Sequence, residues 1–161
     1  GVSLNNAGLK NKLRQKNYQR YLAKLIKKYQ LEQCVEFLPA LKADEMKEMY
    51  LKSNVFVSPS SIENSPNSLG EAMMLGVPCV SSLVGGVGNM LKHEKEGFTY
   101  QHDAPYMLAC YVMRVFKEQE TNKELVKDMT DAAHEHALTL FDRRKNAETM
   151  LGIYGKVCGR E

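Results

Sequence analysis

This chain has few cysteines, no long apolar run and little excess charge, and each shortage excludes a class of protein. Its four cysteines stand far apart with no Cys-x-x-Cys pair, which argues against a zinc site and for reduced thiols. No stretch approaches the roughly 18 apolar residues of a membrane span, and no signal-peptide pattern opens the chain. A net charge of +3 gives no case for nucleic-acid binding. We therefore expect a cytoplasmic protein with neither a metal centre nor a nucleic-acid partner.

The composition that is present is that of an ordinary globular chain. The 161 residues are 43% hydrophobic and 25% charged, which is enough for one core and too little for two comfortable ones. The sequence contains no internal repeat, low-complexity tract or linker. We therefore predict a single domain over residues 1–161, closed by a C-terminal helix at about 142–158.

Short apolar segments alternate with helical patterns along the chain. Because strand–helix alternation is typical of parallel sheets, the sequence predicts an α/β fold, a parallel sheet with helices on both faces. Strands are predicted at 35–38, 55–57, 78–81 and 97–100, and helices at 9–29, 44–53, 66–75, 104–118, 122–140 and 142–157.

The loops at one edge of this sheet differ in composition from the strands. Taken together, loops 39–43, 59–66 and 83–89 are rich in Gly, Pro, Ser and Asn, whereas the strands are apolar. Ligands of open parallel sheets bind beyond the carboxyl ends of the strands. We therefore predict a ligand cleft at this edge.

One loop-to-helix junction carries two carboxylates, Glu63 and Glu71, eight residues apart. We predict that Ser65 is the N-cap, that Pro66 is the first helical residue and that Gly76 ends the helix. The unpaired N–H groups of a helix start form a natural seat for a phosphate. Since Glu71 lies among apolar residues of the helix, we expect a polar group to face it.

The residues of this junction form a pattern that is known from one family. They resemble the Glu-x7-Glu signature of retaining, GT-B-fold glycosyltransferases (family 4, glycosyl transferases group 1). The similar order continues upstream through 35–41 and 49–55 and downstream through 78–86, 96–98 and 146–154, so the resemblance covers nearly the whole chain. The signature residues are Pro59, Ser60, Glu63, Pro66, Asn67, Leu69, Glu71, Ala72, Met73, Gly76 and Pro78.

The resemblance implies an enzyme of two Rossmann-like domains, of which this chain is the C-terminal one. Such an enzyme moves a sugar from a nucleotide-diphosphate donor to an acceptor with retention, here in polysaccharide or glycolipid synthesis, without a cofactor or metal. We expect the N-terminal acceptor domain to be missing from this sequence, together with the first strand and helix of the donor domain. We also expect the chain alone to be inactive.

The resemblance also implies roles for individual residues. Glu63, the catalytic candidate, would contact donor-sugar hydroxyls near the anomeric carbon and would act by binding and positioning rather than by covalent attack. Glu71 would hold the ribose hydroxyls. The other substrate-binding candidates are the backbone N–H groups of Asn67, Ser68 and Leu69 for the diphosphate, Leu41 for the base pocket, and the glycine pair Gly85 and Gly86.

Two departures from the family pattern bear on these roles. The basic pair that holds the diphosphate in the family falls before the start of this sequence. The glycine pair is followed by Val87-Gly88-Asn89 where the family usually has Pro-Glu. The pair Gly85–Gly86 is therefore interpreted equally well as a turn with positive φ.

Three alternatives remain open at this point. A nucleotide-sugar epimerase of GT-B architecture would also use carboxylates, but it lacks the Pro-Asn-x-Leu-x-Glu-Ala-Met continuation. A non-catalytic Rossmann-like interaction module would keep the fold without the chemistry. The basic helix at 9–29 is favoured as a solvated face, with peripheral contact to anionic lipids at the inner membrane face as its alternative.

His134 and His136 are expected at the surface, diverging too far on a helix to share a metal.

Overall fold

The computed structural model describes residues 17–159 and divides the chain into two compact units, residues 1–42 and 43–161. In the first unit, helix α1 spans Asn17–Lys28, and residues 9–16 of the predicted helix lie outside the described residues. The prediction of one domain over the whole chain stays a prediction.

The prediction of a strand at 35–38 is wrong. These residues have no regular secondary structure, and Phe37 and Leu38 are 62% and 45% exposed. A strand needs a neighbouring strand to pair its N–H and C=O groups. The described part of the first unit, residues 17–42, contains no such neighbour, so the apolar pattern alone does not produce a strand.

The second unit contains a parallel sheet surrounded by helices. Its three strands run in the order β1-β2-β3, with Phe56 opposite Cys79 and Val80 opposite Phe98. The three strands predicted in this region are confirmed, with boundaries shifted by about one residue. The elements are α2 (Ala43–Lys52), β1 (Phe56–Ser58), α3 (Asn67–Met74), β2 (Cys79–Ser82), α4 (Val87–Met90), β3 (Phe98–Tyr100), α5 (Pro105–Thr121), α6 (Lys123–Leu140) and α7 (Arg143–Val157).

Two apolar clusters pack on opposite faces of this sheet. Successive residues of a strand point to opposite faces, and the neighbours Cys79 and Val80 belong to different clusters. The predicted helices on both faces are thereby confirmed. The first cluster joins Cys79 to Leu69 and Met73 of α3 and to Ala133 and Ala137 of α6, and the second joins Val80 to Phe98, to Val115 of α5 and to Met129 of α6.

Helix α3 begins one residue later than predicted. Its N-cap is Pro66, in an extended conformation with φ −70° and ψ 110°, and not Ser65. The Ser65 hydroxyl donates instead to Met90 Sδ at 3.4 Å, so it is not turned back toward the helix. The helix ends as predicted at Gly76, whose φ of 68° belongs to the left-handed region that glycine favours.

The remaining helices agree with the sequence pattern. Helix α7 covers the predicted C-terminal segment, and the Asp142 carboxylate caps it by accepting from the N–H groups of Arg144 and Lys145. No helix described between residues 17 and 159 is long and apolar enough to cross a bilayer.

Candidate functional site

Glu63 lies in the loop between β1 and α3, at the carboxyl end of the sheet. The Ser60 hydroxyl donates to Glu63 Oε1 at 2.8 Å. The hydroxyl of Ser82, the last residue of β2, donates to the Ser60 carbonyl oxygen at 2.5 Å. The loop that carries Glu63 is therefore tied to the end of the neighbouring strand.

The turn Gly85–Gly86 packs backbone against backbone on the same loop. Gly85 has a φ of 51°, and a Cβ atom there would overlap the Glu63 carbonyl oxygen. A Cβ atom at Gly86 would overlap the Asn64 carbonyl oxygen, to which the Gly86 N–H donates at 2.6 Å. The turn interpretation of this glycine pair is therefore confirmed, whereas its direct contact with substrate stays a prediction.

Glu71 lies in the second turn of α3 with an exposed side chain. The buried Tyr50 of α2 donates its hydroxyl to Glu71 Oε2 at 3.1 Å. Burial, together with the hydrogen bond to the Glu71 carboxylate and the charge of that carboxylate, raises the pKa of Tyr50 to about 12. The expected polar group is present, but the reason given for it is wrong, because the Glu71 carboxylate is not buried among apolar residues.

The first N–H groups of α3 differ in whether they are paired. Leu69 N–H donates to the Pro66 carbonyl oxygen at 3.1 Å, and the Leu69 side chain is fully buried in the core. Among residues 17–159, no acceptor is found for the N–H groups of Asn67 and Ser68. Two of the three N–H groups predicted to hold a diphosphate are thus unpaired at the positive end of the helix.

These residues form one arrangement at the carboxyl end of the sheet. Two unpaired N–H donors stand at the start of α3, between the Glu63 loop that leads into the helix and Glu71 one turn further on. N–H donors at a helix start bind anions, and carboxylates accept hydrogen bonds from hydroxyls. The arrangement therefore has the groups to bind an anion that also carries hydroxyls.

The other residues named from the sequence are Leu41 and two histidines. Leu41 belongs to the first unit, and its contact with a base stays a prediction. The histidines of α6 are half-buried rather than at the surface: His134 Nδ1 contacts the Met74 carbonyl oxygen at 2.7 Å, and His136 Nδ1 contacts Glu96 Oε2 at 2.9 Å. They diverge as predicted. Among the residues that the structure describes, no group of three metal-ligating side chains occurs.

A shallow groove lies at the opposite end of the strands. It is lined by residues that precede β1 and β2, among them Asn54 and Pro78, and by the facing ends of α5 and α6. Neither glutamate lines this groove. The groove is therefore not the predicted cleft.

Sequence reasoning gave no role to three side chains: Tyr50 and Ser60, which donate to the glutamates, and Ser82, which holds the Glu63 loop. Tyr50 falls within the predicted helix 44–53, whose apolar residues Met46, Met49 and Tyr50 form a stripe. A buried tyrosine hydroxyl usually finds a hydrogen-bond partner. That rule predicts a polar neighbour for Tyr50 without naming it. No local signal marks Ser82, since its partner lies 22 residues away.

Comparison with protein families gives one match. The family model "Glycosyl transferases group 1" matches residues 4–136.

Two curated relatives are similar in sequence. The glycosyltransferase YtcC of Bacillus subtilis is 31% identical over 143 residues, which are 87% of this chain and 33% of YtcC. The colanic acid biosynthesis glycosyltransferase WcaL of Escherichia coli is 38% identical over 88 residues, 50% of this chain and 21% of WcaL. The chain thus spans about a third or less of the length of each relative.

A solved structure shares the fold. Anabaena Alr3699/HepE, in complex with UDP, superposes with a TM-score of 0.73 at 21% identity, over 84% of this chain and 37% of HepE. HepE has also been solved in complex with UDP-glucose. At this identity the likeness shows the fold alone.

Proposed function

This chain belongs to the glycosyl transferases group 1 family, and we propose that it is the part of a glycosyltransferase that binds a nucleotide-diphosphate-sugar donor. The observation that carries the proposal is the start of α3, where the N–H groups of Asn67 and Ser68 are unpaired among the described residues. In the sequence these two residues lie between Glu63 and Glu71. The UDP and UDP-glucose complexes of the structural neighbour HepE support it.

Each group has a part in this proposal. The N–H groups of Asn67 and Ser68 bind the diphosphate, Glu71 binds the ribose hydroxyls, and Glu63 binds sugar hydroxyls near the anomeric carbon. The leaving diphosphate gains negative charge as the sugar becomes oxocarbenium-like. Donors that are already oriented stabilise that charge without further reorganisation.

The proposal extends to the whole reaction. Transfer proceeds with retention to an acceptor held by a further, N-terminal domain, and the product is a polysaccharide or glycolipid. The similarity to WcaL, a colanic acid biosynthesis glycosyltransferase, supports a polysaccharide product.

The proposed setting is the cytoplasm, at or near the inner face of the membrane. All four cysteines are free, as expected in a reducing compartment. The described part of the basic helix, α1, carries Lys24, Lys27 and Lys28, and such lysines suit peripheral contact with anionic lipids.

Binding of nucleotide diphosphates tests the proposal, with titration calorimetry on the 161-residue chain and UDP, GDP and ADP as probes. We expect saturable binding of at least one probe. Glu71→Ala should weaken it by roughly 10- to 100-fold, because hydrogen bonds to a charged group contribute about 1.5–3 kcal/mol.

Glu135→Ala is the matched control, since Glu135 is another exposed helical glutamate, on α6. It should leave the affinity unchanged. Absence of binding by all three nucleotides would favour the non-catalytic interaction module. Equal losses in the Glu71 and Glu135 variants would remove Glu71 from the site.

A further inference from the structure

Tyr50 joins two elements that are far apart in the sequence. It lies on α2, 21 residues before Glu71, and its hydroxyl is 3.1 Å from Glu71 Oε2 and 3.3 Å from the Ser68 carbonyl oxygen. Both acceptors belong to the first two turns of α3. One side chain from outside the Glu-x7-Glu segment therefore contacts the helix start and the glutamate that follows it.

The Tyr50 ring is fixed by the core. It is only 5% exposed and belongs to the same apolar cluster as Leu69 and Met73. Its ring centroid lies 5.8 Å from that of Phe56 in β1, at a tilt of 56°. Because core side chains are closely packed in single rotamers, the hydroxyl occupies a defined position beneath the exposed glutamate.

The hydroxyl has one proton for two acceptors. The Glu71 carboxylate is the closer of the two and carries a full charge, so it forms the stronger hydrogen bond. Burial and the carboxylate together raise the pKa of Tyr50 to about 12. The hydroxyl therefore stays protonated, and remains a donor, throughout the neutral range.

This contact uses only one oxygen of the carboxylate. Among residues 17–159, Glu71 Oε1 has no hydrogen-bond partner. A free glutamate side chain samples several rotamers, and a ligand that binds it loses affinity because the side chain must be ordered. A carboxylate held through Oε2 has already lost much of that freedom, and Oε1 is left to accept from a ligand.

We propose that Tyr50 is a positioning residue, which fixes the Glu71 carboxylate so that its free oxygen accepts from the ribose hydroxyls of the donor nucleotide. The inference rests on the proposed function, since it assigns Tyr50 a part in the same nucleotide site. It makes Tyr50 a determinant of the preference for ribose over deoxyribose.

The test replaces only the hydroxyl. Tyr50→Phe keeps the ring in the core. The affinities of this variant and of Glu71→Ala for UDP and 2′-deoxy-UDP are measured by calorimetry. If UDP does not bind, GDP or ADP and their 2′-deoxy forms are used instead. We expect Tyr50→Phe to weaken ribonucleotide binding by about 3- to 10-fold. Binding of the deoxynucleotide should change less, so the preference for ribose should fall.

A control and a double variant separate positioning from folding. Tyr154→Phe removes the hydroxyl of an exposed tyrosine on α7 and should leave both affinities unchanged. Tyr50→Phe combined with Glu71→Ala should bind no more weakly than Glu71→Ala alone, because Tyr50 acts through Glu71.

Three other outcomes overturn the inference, and one of them overturns the proposed function as well. If no nucleotide binds the wild-type chain, the proposed function and this inference both fail. If Glu71→Ala abolishes the ribose preference while Tyr50→Phe leaves it intact, only this inference fails. Equal weakening of ribo- and deoxynucleotide binding in Tyr50→Phe also overturns the inference, because it shows an effect on the fold.

Discussion

The two glutamates of the candidate site are held in place by opposite means. Glu63 lies on a loop whose shape is set by a backbone that approaches closely at Gly85 and by hydroxyl contacts from Ser60 and Ser82. Glu71 lies on a helix whose inner face is buried, and the core residue Tyr50 reaches it from α2.

The difference shows which kind of substitution disturbs each glutamate. The Glu63 loop requires a glycine at position 85, because a Cβ atom there would occupy the space of the loop backbone. The helix that carries Glu71 requires its buried apolar side chains, because their contacts hold it against the core. An added Cβ atom at Gly85 should therefore displace the Glu63 loop, whereas the removal of buried apolar atoms should disturb the Glu71 helix.

The largest expected effect is on the helix side. Leu69→Ala removes a fully buried side chain from the core face of α3 and should lower the free energy of unfolding by about 2–5 kcal/mol. Urea unfolding followed by circular dichroism measures this change. Leu151→Ala, at a position 71% exposed on α7, should change it by no more than about 0.5 kcal/mol. Equal values for the two variants would show that α3 is not held by its core face.

A smaller effect on stability is expected on the loop side. Gly85→Ala places a methyl group against the Glu63 carbonyl oxygen at a φ of 51°. Either the Glu63 loop moves, or residue 85 keeps a strained backbone conformation. The expected loss is about 1–3 kcal/mol in the free energy of unfolding, measured in the same urea experiment.

The control for this variant is another glycine. Gly152 lies within α7 with open space where a Cβ atom would be. Gly152→Ala should be neutral or should stabilise the chain by up to about 1 kcal/mol. If Gly85→Ala proved equally harmless, the close approach of the two backbones would not be what places Glu63.

The sequence predicted the fold wherever local pattern and packing agree. The strand Cys79–Ser82 is a short segment that follows the turn residues Gly76 and Pro78, and it is buried throughout. Helix α6 is long and periodic. The strand predicted at 35–38 failed because its pattern is local while strand pairing is not. The N-cap at Ser65 failed because the hydroxyl found a partner in Met90, 25 residues away.

The same division applies to the site. Glu63, Asn67, Ser68 and Glu71 lie within nine residues of one another in a recognisable signature. Tyr50, the partner of Glu71, and Ser82, which binds the Ser60 carbonyl oxygen in the Glu63 loop, come from other elements. Only the packing of α2 and β2 brings them close. A motif names the residues that meet a ligand, whereas the residues that orient them depend on the fold.

The smallest expected effect is a change in the free energy of unfolding at alkaline pH. It should occur for the hydroxyl that holds Glu71 and not for the hydroxyl that holds Glu63. The pKa of Tyr50 is raised from its ordinary value of 10.0 to about 12 in the folded chain. A group with a raised pKa in the folded state contributes stability that is complete below the unfolded pKa and is lost as pH rises through the folded pKa. The difference in free energy of unfolding between the wild type and Tyr50→Phe should therefore be constant up to about pH 10 and decrease from there toward pH 12.

Ser60→Ala provides the comparison for this measurement. It removes the hydroxyl donor of Glu63, but a serine hydroxyl does not titrate in this range. Urea unfolding between pH 8 and 11 should thus show a constant difference between the wild type and Ser60→Ala, while the difference for Tyr50→Phe declines above pH 10. Parallel curves for both variants would mean that the Tyr50 hydroxyl is not a buried donor to Glu71, and that the two carboxylates are held in a more similar way than the structure indicates.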